Sequence, residues 1–158
     1  MIIKNVLVNT FSNPRPRLNH DVPHWIRESE EIFFVTVCSQ ERGSDYLTRA
    51  PVANALLETV QHRNKTGIWW CSAFVVMPDH VHGLIRFSSP QPMSRVMQLW
   101  KSWTTRSIGV QWQRQWFDHR LRGDEEWRKK ADYLLNNPVR AGLVSDPLEW
   151  PWRFLAPR

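Results

Sequence analysis

The residues whose types and spacing point most directly to chemistry are His80 and His82, in the string Met-Pro-Asp-His-Val-His. An apolar run continues from this string to Phe87, which predicts a β-strand. On a strand, side chains two positions apart point to the same face, and their Cα atoms are about 6.6–6.8 Å apart. Two imidazoles in this arrangement can bind one metal ion. The alternative is a pair of incidental surface or capping histidines.

A second candidate pair, Tyr133 and Asn137, lies near the end of a predicted helix. Residues four positions apart share one helical face and are separated by about one turn. The Asn137 amide could therefore supply a third, oxygen ligand beside the Tyr133 phenol. The residues alone leave a simpler interpretation open, in which Tyr133 packs the helix against the protein and Asn137 ends the helix before Pro138.

Four stretches of the chain together make a family resemblance visible. They are Phe-Phe-Val-Thr-Val at 33–37, residues 76–85 around the histidines, residues 112–122, and Tyr-Leu-Leu-Asn-Asn-Pro-Val-Arg-Ala-Gly-Leu-Val at 133–144. In these stretches the sequence resembles the HUH single-tyrosine transposases, and most closely the REP-associated tyrosine transposases of bacteria. The stretches follow one another in the order expected for that family.

This resemblance implies a nucleophile, a metal site and a reaction. Carried over residue by residue, it implies Tyr133 as the nucleophile and His80, His82 and Asn137 as ligands of Mg²⁺ or Mn²⁺. Members of the family cut and rejoin single-stranded DNA beside palindromic hairpins through a 5′-phosphotyrosine bond. The chain departs from the family pattern at 116–117, where Trp-Phe stands in a stretch that often includes a tyrosine. Tyr133 is the expected nucleophile because it alone is followed by the amide and by Asn-Pro.

The elements that must position these residues are predicted from hydrophobic spacing and from turn residues. We expect strands at 32–38, 68–77 and 80–87, helices at about 48–63, 94–107 and 123–136, and an extended segment at 110–121. This order is that of a ferredoxin-like βαββαβ fold of the α+β class, with an antiparallel sheet and an added C-terminal helix that carries the tyrosine. The proline-containing tail after that helix is predicted to be irregular.

Positive charge is concentrated in one part of the sequence. The 158 residues include 21 Lys and Arg against 15 Asp and Glu, and residues 86–140 hold eleven basic and five acidic residues, so the whole excess of +6 lies there. Such a surplus predicts a polyanionic partner, and arginines interleaved with tryptophans suit single-stranded DNA. The alternative is a solvated basic face without a partner. The candidate DNA contacts are Arg15, Arg17, Lys101, Trp103, Arg106, Arg114, Arg120, Arg122 and Arg140.

Length predicts a single domain, the use of two reduced cysteines predicts the cytoplasm, and the resemblance implies that the domain is catalytic. We expect an N-terminal arm at 1–30, the transposase domain at 31–144, and a tail at 145–158 that packs on the domain or is partly disordered. No apolar run approaches the ~20 residues of a membrane helix, and no secretory signal is recognisable, so no membrane partner is expected. Cys38 and Cys71 are too few for a disulfide framework or a four-ligand zinc site.

Two functions follow as expectations. The first is a metal-dependent endonuclease and strand transferase that cleaves and rejoins single-stranded DNA near REP-type hairpins, as a monomer, with a dimer as the alternative. The second is a protein that binds such hairpins or single strands without cleaving them. The two functions differ at Tyr133, and the presence of His80, His82, Tyr133 and Asn137 together favours the enzyme.

Overall fold

The computed structural model of the protein describes residues 23–157. The strands are β1 (Phe33–Cys38), β2 (Trp70–Val76), β3 (His80–Arg86), β4 (Phe117–Arg120) and β5 (Arg153–Leu155). The helices are α1 (Ala50–Lys65), α2 (Met93–Ile108), α3 (Asp124–Leu135) and the single turn α4 (Asn137–Arg140). Short 3₁₀ turns lie at Glu28–Glu30, Tyr46–Thr48 and Pro147–Glu149.

The strands form one antiparallel sheet in the spatial order β4-β1-β3-β2-β5. Along the chain, β1, α1, β2, β3, α2 and β4 follow the predicted βαββαβ order, with α3 added as expected. The α+β, ferredoxin-like prediction is therefore confirmed. The predicted bounds of these helices and of the first three strands differ from the observed bounds by at most two residues.

The two central strands, β1 and β3, are apolar along most of their length because helices cover both faces of the sheet. On one face, Val35 and Val81 pack with α1 and α2 in the larger core. On the other face, Phe34 and Leu84 pack with Leu134 of α3 in a smaller core. Alternate residues of each strand therefore contribute to different cores, and the face under α3 is the one that carries the candidate chemistry.

Most of the tryptophans are used for packing. The indoles of five lie in the two cores with less than a tenth of their surface exposed: Trp69, Trp100, Trp112, Trp116 and Trp150. Trp127 and Trp152 pack against these cores while partly buried. Large parts of the remaining three indoles face solvent: Trp25, Trp70 and Trp103.

The prediction of an irregular C-terminal tail was wrong. Residues Arg153–Leu155 form β5, which pairs with β2 and places Phe154 opposite Phe74. Upstream of β5, the indole of Trp150 donates a hydrogen bond to the Val76 carbonyl at 3.0 Å. The prolines at 151 and 157 flank the strand rather than interrupt it, and β5 is an edge strand, where proline is tolerated.

The extended segment predicted at 110–121 is only partly sheet. Its last part forms β4, whereas Trp112 makes an isolated bridge to Ser39. Between them, the carbonyls of Gln113 and Arg114 accept hydrogen bonds from the Lys101 ammonium at 2.7 and 2.8 Å. These carbonyls are therefore satisfied by a side chain instead of by a neighbouring strand. Of the helices within residues 23–157, none is long and apolar enough to cross a bilayer.

Candidate active site

The sheet register brings the candidate residues to the face that α3 covers. His82 of β3 lies directly opposite Thr36 of β1, and Thr36 in turn lies opposite Phe117 of β4. Residues paired across antiparallel strands share a face, so these three side chains form one row. His82 is only 6% exposed, because Phe34 stacks on its ring at a centroid distance of 5.2 Å.

The two histidines converge through their Nε2 atoms. The His80 and His82 Nε2 atoms are 3.1 Å apart, and the rings meet edge to face. The other ring nitrogen of each histidine has its own partner. Nδ1 of His80 is 2.7 Å from the Asp79 carboxylate, and Nδ1 of His82 is 2.8 Å from the Thr36 hydroxyl. Partners of this kind fix the orientation of metal-binding imidazoles.

Asp79 is itself held in place from the loop after β1. The Gly43 backbone N–H donates a hydrogen bond to its carboxylate at 2.7 Å, and the Arg42 guanidinium lies 3.2 Å away. Burial opposes ionisation, but the hydrogen bonds from Gly43 and His80 and the charge of Arg42 outweigh it and lower the pKa of the carboxyl. The ionised carboxylate accepts the Nδ1–H of His80, so Nε2 is the ring nitrogen that His80 turns toward His82.

His82 is neutral in the folded protein. Burial, followed by the neighbouring His80, lowers the pKa of the His82 imidazole to about 3. The 3.1 Å contact between the two Nε2 atoms is then favourable in two ways. Either one Nε2 donates its N–H to the lone pair of the other, or a cation lies between the two nitrogens.

The donor set of this pair fits a divalent metal ion. Two nitrogen ligands at right angles, each about 2.1 Å from one ion, are about 3.0 Å apart. The observed separation of 3.1 Å between the two Nε2 atoms is close to this value. Within residues 23–157 no cluster of three or more His, Cys, Asp and Glu side chains surrounds a point. Further ligands would therefore come from amides, water or substrate.

Tyr133 lies over the same face, beside the histidines. Its ring centroid is 6.3 Å from that of His82 and 6.0 Å from that of Phe34. The ring is 39% exposed, so it reaches solvent while its inner side contacts the site. α3 holds it there because Ala131 and Leu134, on the adjacent side of the helix, are buried against the sheet.

Asn137 begins α4, one turn after Tyr133. α3 ends at Leu135, and the chain continues through Asn136 in a helical conformation before α4 starts. The Asn137 side chain is half-buried and makes no hydrogen bond to the described residues. The structure thus places His82 against both His80 and Tyr133, and it holds Asn137 on the adjoining turn without a hydrogen bond to the described residues.

Comparison with known families identifies the family to which the chain belongs. The family model described as "Transposase IS200 like" matches residues 31–133, a segment that contains both histidines and ends at Tyr133. The chain belongs to the IS200-like transposase family. This transposase is 27% identical over 127 residues to the REP-associated tyrosine transposase of Escherichia coli strain K12, covering 76% of the chain and 73% of the relative.

Two further relatives extend the comparison. A Haemophilus influenzae protein provisionally named a REP-associated tyrosine transposase is 26% identical to the present transposase over 141 residues, covering 77% of both chains. A solved structure of a REP-associated tyrosine transposase bound to a REP hairpin superposes with a TM-score of 0.70, at 24% identity, over 86% of the present chain and 82% of the other. At that identity the superposition establishes a shared fold.

The predicted DNA contacts of the transposase occupy different environments. Arg140, at the end of α4, places its guanidinium carbon 4.8 Å from the Tyr133 ring centroid. Arg120 pairs with Glu31 at 3.1 Å. Lys101 is half-buried against the carbonyls described above, and burial lowers the pKa of its ammonium. Two of the three Lys101 donors are therefore engaged inside the protein.

The other candidate DNA contacts are spread around the molecule. Trp103 and Arg106 are exposed on α2, which covers the sheet face opposite the histidines. Arg114 and Arg122 are exposed in the segments on either side of β4. Two further candidates, at 15 and 17, lie outside the described residues.

Sequence reasoning did not identify three residues of this site. The Thr36 hydroxyl forms a hydrogen bond with His82. In the sequence, the one indication of this role was that Thr36 lies two residues from Phe34 and so on the same strand face. Lys130 lies three residues before Tyr133 on α3, and this helical spacing was visible in the sequence. Phe117 is 47% exposed in the row of Thr36 and His82, which only the strand register reveals.

Proposed function

We propose that this transposase cleaves and rejoins single-stranded DNA beside REP-type palindromic hairpins, through a 5′-phosphotyrosine formed on Tyr133. We further propose that His80, His82 and Asn137 hold a divalent ion, Mg²⁺ or Mn²⁺. The observation that carries the proposal is the contact between the Tyr133 ring and His82, at 6.3 Å, beside an imidazole pair whose Nε2 atoms are 3.1 Å apart. The REP-associated names of the relatives support this choice of DNA.

The cleavage step is a transesterification at phosphorus. The Tyr133 oxygen attacks the scissile phosphate, a Tyr–O–P bond forms, and the P–O3′ bond breaks. The phenolic proton is lost to solvent, and the leaving 3′ oxygen gains a proton to become a hydroxyl. Rejoining reverses these steps with a 3′-hydroxyl as the nucleophile. Because the phosphotyrosine bond preserves the energy of the phosphodiester, no nucleotide cofactor is required.

The chemical difficulty lies in the phenol. A group with a pKa near 10 is only ~0.1% ionised at pH 7, which costs about 4 kcal/mol if phenolate attacks. When bound, the metal would polarise the scissile phosphate and stabilise the charge that develops on it. The protein contributes orientation: Asp79 and Thr36 fix the two imidazoles, and α3 holds the phenol beside them.

The protonation state of His82 suits this role. His82, with a pKa of about 3, is neutral throughout the physiological range and keeps a lone pair available on one ring nitrogen. The Asp79 carboxylate, whose pKa is lowered, accepts the Nδ1–H of His80. His82 can therefore act as a neutral ligand without first losing a proton, and Asp79 holds His80 in the orientation that presents its Nε2.

The proposal is tested by trapping the covalent intermediate. The protein is incubated with a single-stranded oligonucleotide that contains a hairpin, with and without MnCl₂, and is then denatured and analysed by gel electrophoresis. We expect a DNA–protein adduct in the wild type with Mn²⁺ and none in Tyr133→Phe. Tyr46→Phe is the matched control, because Tyr46, the other tyrosine of the chain, donates to the Ile108 carbonyl at 3.2 Å on the face under α1 and α2.

The same experiment distinguishes the alternative function. An electrophoretic mobility shift under native conditions reports hairpin binding independently of cleavage. If the wild type shifts the hairpin but forms no adduct with Mn²⁺, the protein binds DNA without cleaving it. An adduct of unchanged yield in Tyr133→Phe would contradict the assignment of the nucleophile.

A further inference from the structure

Two positive charges flank the ring of Tyr133. The Lys130 ammonium lies 5.7 Å from the Tyr133 ring centroid, and the Arg140 guanidinium carbon lies 4.8 Å from it. The Lys130 ammonium is also 5.1 Å from the centroid of Phe34, the residue that stacks on His82. The amine thus turns toward the sheet and the histidine site instead of extending into solvent.

The local structure explains why these two side chains meet at the tyrosine. Lys130 precedes Tyr133 by three positions on α3, which places both on one side of the helix. Arg140 is the last residue of α4, which follows α3 after a single residue, Asn136, in a helical conformation. The two cations therefore approach the ring from different helices.

Neither cation forms an ion pair with a described carboxylate. The carboxylate best placed for Lys130, that of Glu126 one turn earlier, instead binds His119 and the backbone N–H of Arg122. The adjacent Lys129 shows the contrast, because its ammonium pairs with Glu125 at 2.6 Å. Within residues 23–157, the charge that accumulates at Tyr133 is left without a described anionic partner.

We infer that Lys130 and Arg140 bind the non-bridging oxygens of the scissile phosphodiester and hold it against the Tyr133 oxygen. This inference rests on the proposed function. Arginine offers a planar fork that matches two phosphate oxygens, and lysine offers a compact point charge. Together they satisfy the two oxygens that carry the negative charge of a phosphodiester.

These cations act most strongly when the phenol attacks. As the Tyr–O–P bond forms, negative charge accumulates on the equatorial oxygens of the phosphoryl group, and fixed cations stabilise it. The pair should therefore contribute more to the rate of adduct formation than to the affinity for DNA.

Charge-matched variants test this inference. Lys130→Gln and Arg140→Gln are compared with Lys129→Gln and Arg128→Gln, which remove the same charge from exposed positions on α3. The rate of adduct formation is measured in single turnover at saturating hairpin oligonucleotide and Mn²⁺, and the Kd by fluorescence anisotropy. We expect the first two variants to lose about tenfold to a thousandfold in rate and the controls to stay within about twofold.

The remaining measurements separate a phosphate contact from a structural role. Lys130→Arg should recover most of the rate that Lys130→Gln loses, and thermal unfolding should show that each variant is folded. Equal rates for Lys130→Gln and Lys129→Gln, or an equal fall in rate for all four variants, would overturn the inference while wild-type adduct formation still supports the proposed function. Failure of the wild type to form any adduct would instead count against the proposed function itself.

Discussion

Replacing Thr36 by valine removes the hydroxyl that lies 2.8 Å from Nδ1 of His82 and retains the branched shape of the side chain. Valine is at least as favourable as threonine in a β-strand, so β1 should not be disturbed. His82 is 6% exposed, and water cannot readily replace the lost partner. The buried ring nitrogen is then left without a hydrogen bond, which costs about 1–3 kcal/mol.

We therefore expect Thr36→Val to lower the free energy of unfolding by about 1–3 kcal/mol, measured by urea denaturation with linear extrapolation. The Mn²⁺ concentration for half-maximal adduct formation should also rise by about 10–100-fold, because loss of a partner that orients a ligand weakens metal binding by this factor. The control is Thr66→Val, whose hydroxyl bonds the His62 carbonyl at the exposed end of α1. It should change stability by about 0.5 kcal/mol or less and leave the Mn²⁺ dependence unchanged.

This reasoning would be refuted by a Thr36→Val variant whose stability and Mn²⁺ dependence both match those of Thr66→Val. Loss of stability with an unchanged Mn²⁺ dependence would show that the Thr36–His82 hydrogen bond stabilises the fold. It would also show that Thr36 does not orient a metal ligand.

Three further predictions follow from the same contacts. Asp79→Asn should raise the Mn²⁺ concentration for half-maximal adduct formation about 10–100-fold, because the carboxylate that fixes His80 is lost. The hairpin Kd should be unchanged. An unaltered Mn²⁺ titration would contradict the role of Asp79 in orienting His80. Gly83→Ala places a methyl group 3.0 Å from a Phe74 ring carbon, so urea denaturation should show a loss of about 1–3 kcal/mol; wild-type stability would show that the sheet adjusts freely. Leu134→Ala, at a fully buried position on the side of α3 that faces the sheet, should lose about 2–5 kcal/mol in the same assay. A loss below about 1 kcal/mol would mean that α3 is not held by this contact.

The main elements could be predicted because their signals are local. The apolar run that became β1 and the spacing of Val52, Leu56 and Val60 in α1 each reflect burial along one element. β5 could not be predicted in this way, because three residues between prolines carry no periodic pattern. Its strand character comes from pairing with β2, a partner about 80 residues away in the chain.

Only part of the candidate site was accessible to sequence reasoning. The shared face of His80 and His82 follows from the period of two along a strand. The contact between His82 and Tyr133 depends on how α3 lies across the sheet, which no local pattern specifies, and the family resemblance supplied that expectation. The hydrogen bonds of Lys101 to backbone carbonyls could not be predicted either. A lysine that binds carbonyls has the same sequence signature as one that faces solvent.

The position of the DNA contacts shows the same limit. Trp103 and Arg106 are a tryptophan and an arginine close together, as is typical of sites that bind single-stranded DNA. However, α2 holds them on the sheet face opposite Tyr133. Lys130 and Arg140 lie at the tyrosine because of helix spacing and of the α3–α4 turn. Charge counts along the chain identified the basic segment, and only the fold distributes its members between the two faces.

The most direct test of the account is to identify the residue that becomes linked to DNA. The Mn²⁺-dependent adduct is digested with protease and nuclease, and the modified peptide is sequenced by tandem mass spectrometry. The account predicts a single linkage, between the 5′-phosphate of the downstream DNA fragment and Tyr133. Linkage to Tyr46 or to any other residue, or linkage through a 3′-phosphate, would contradict it.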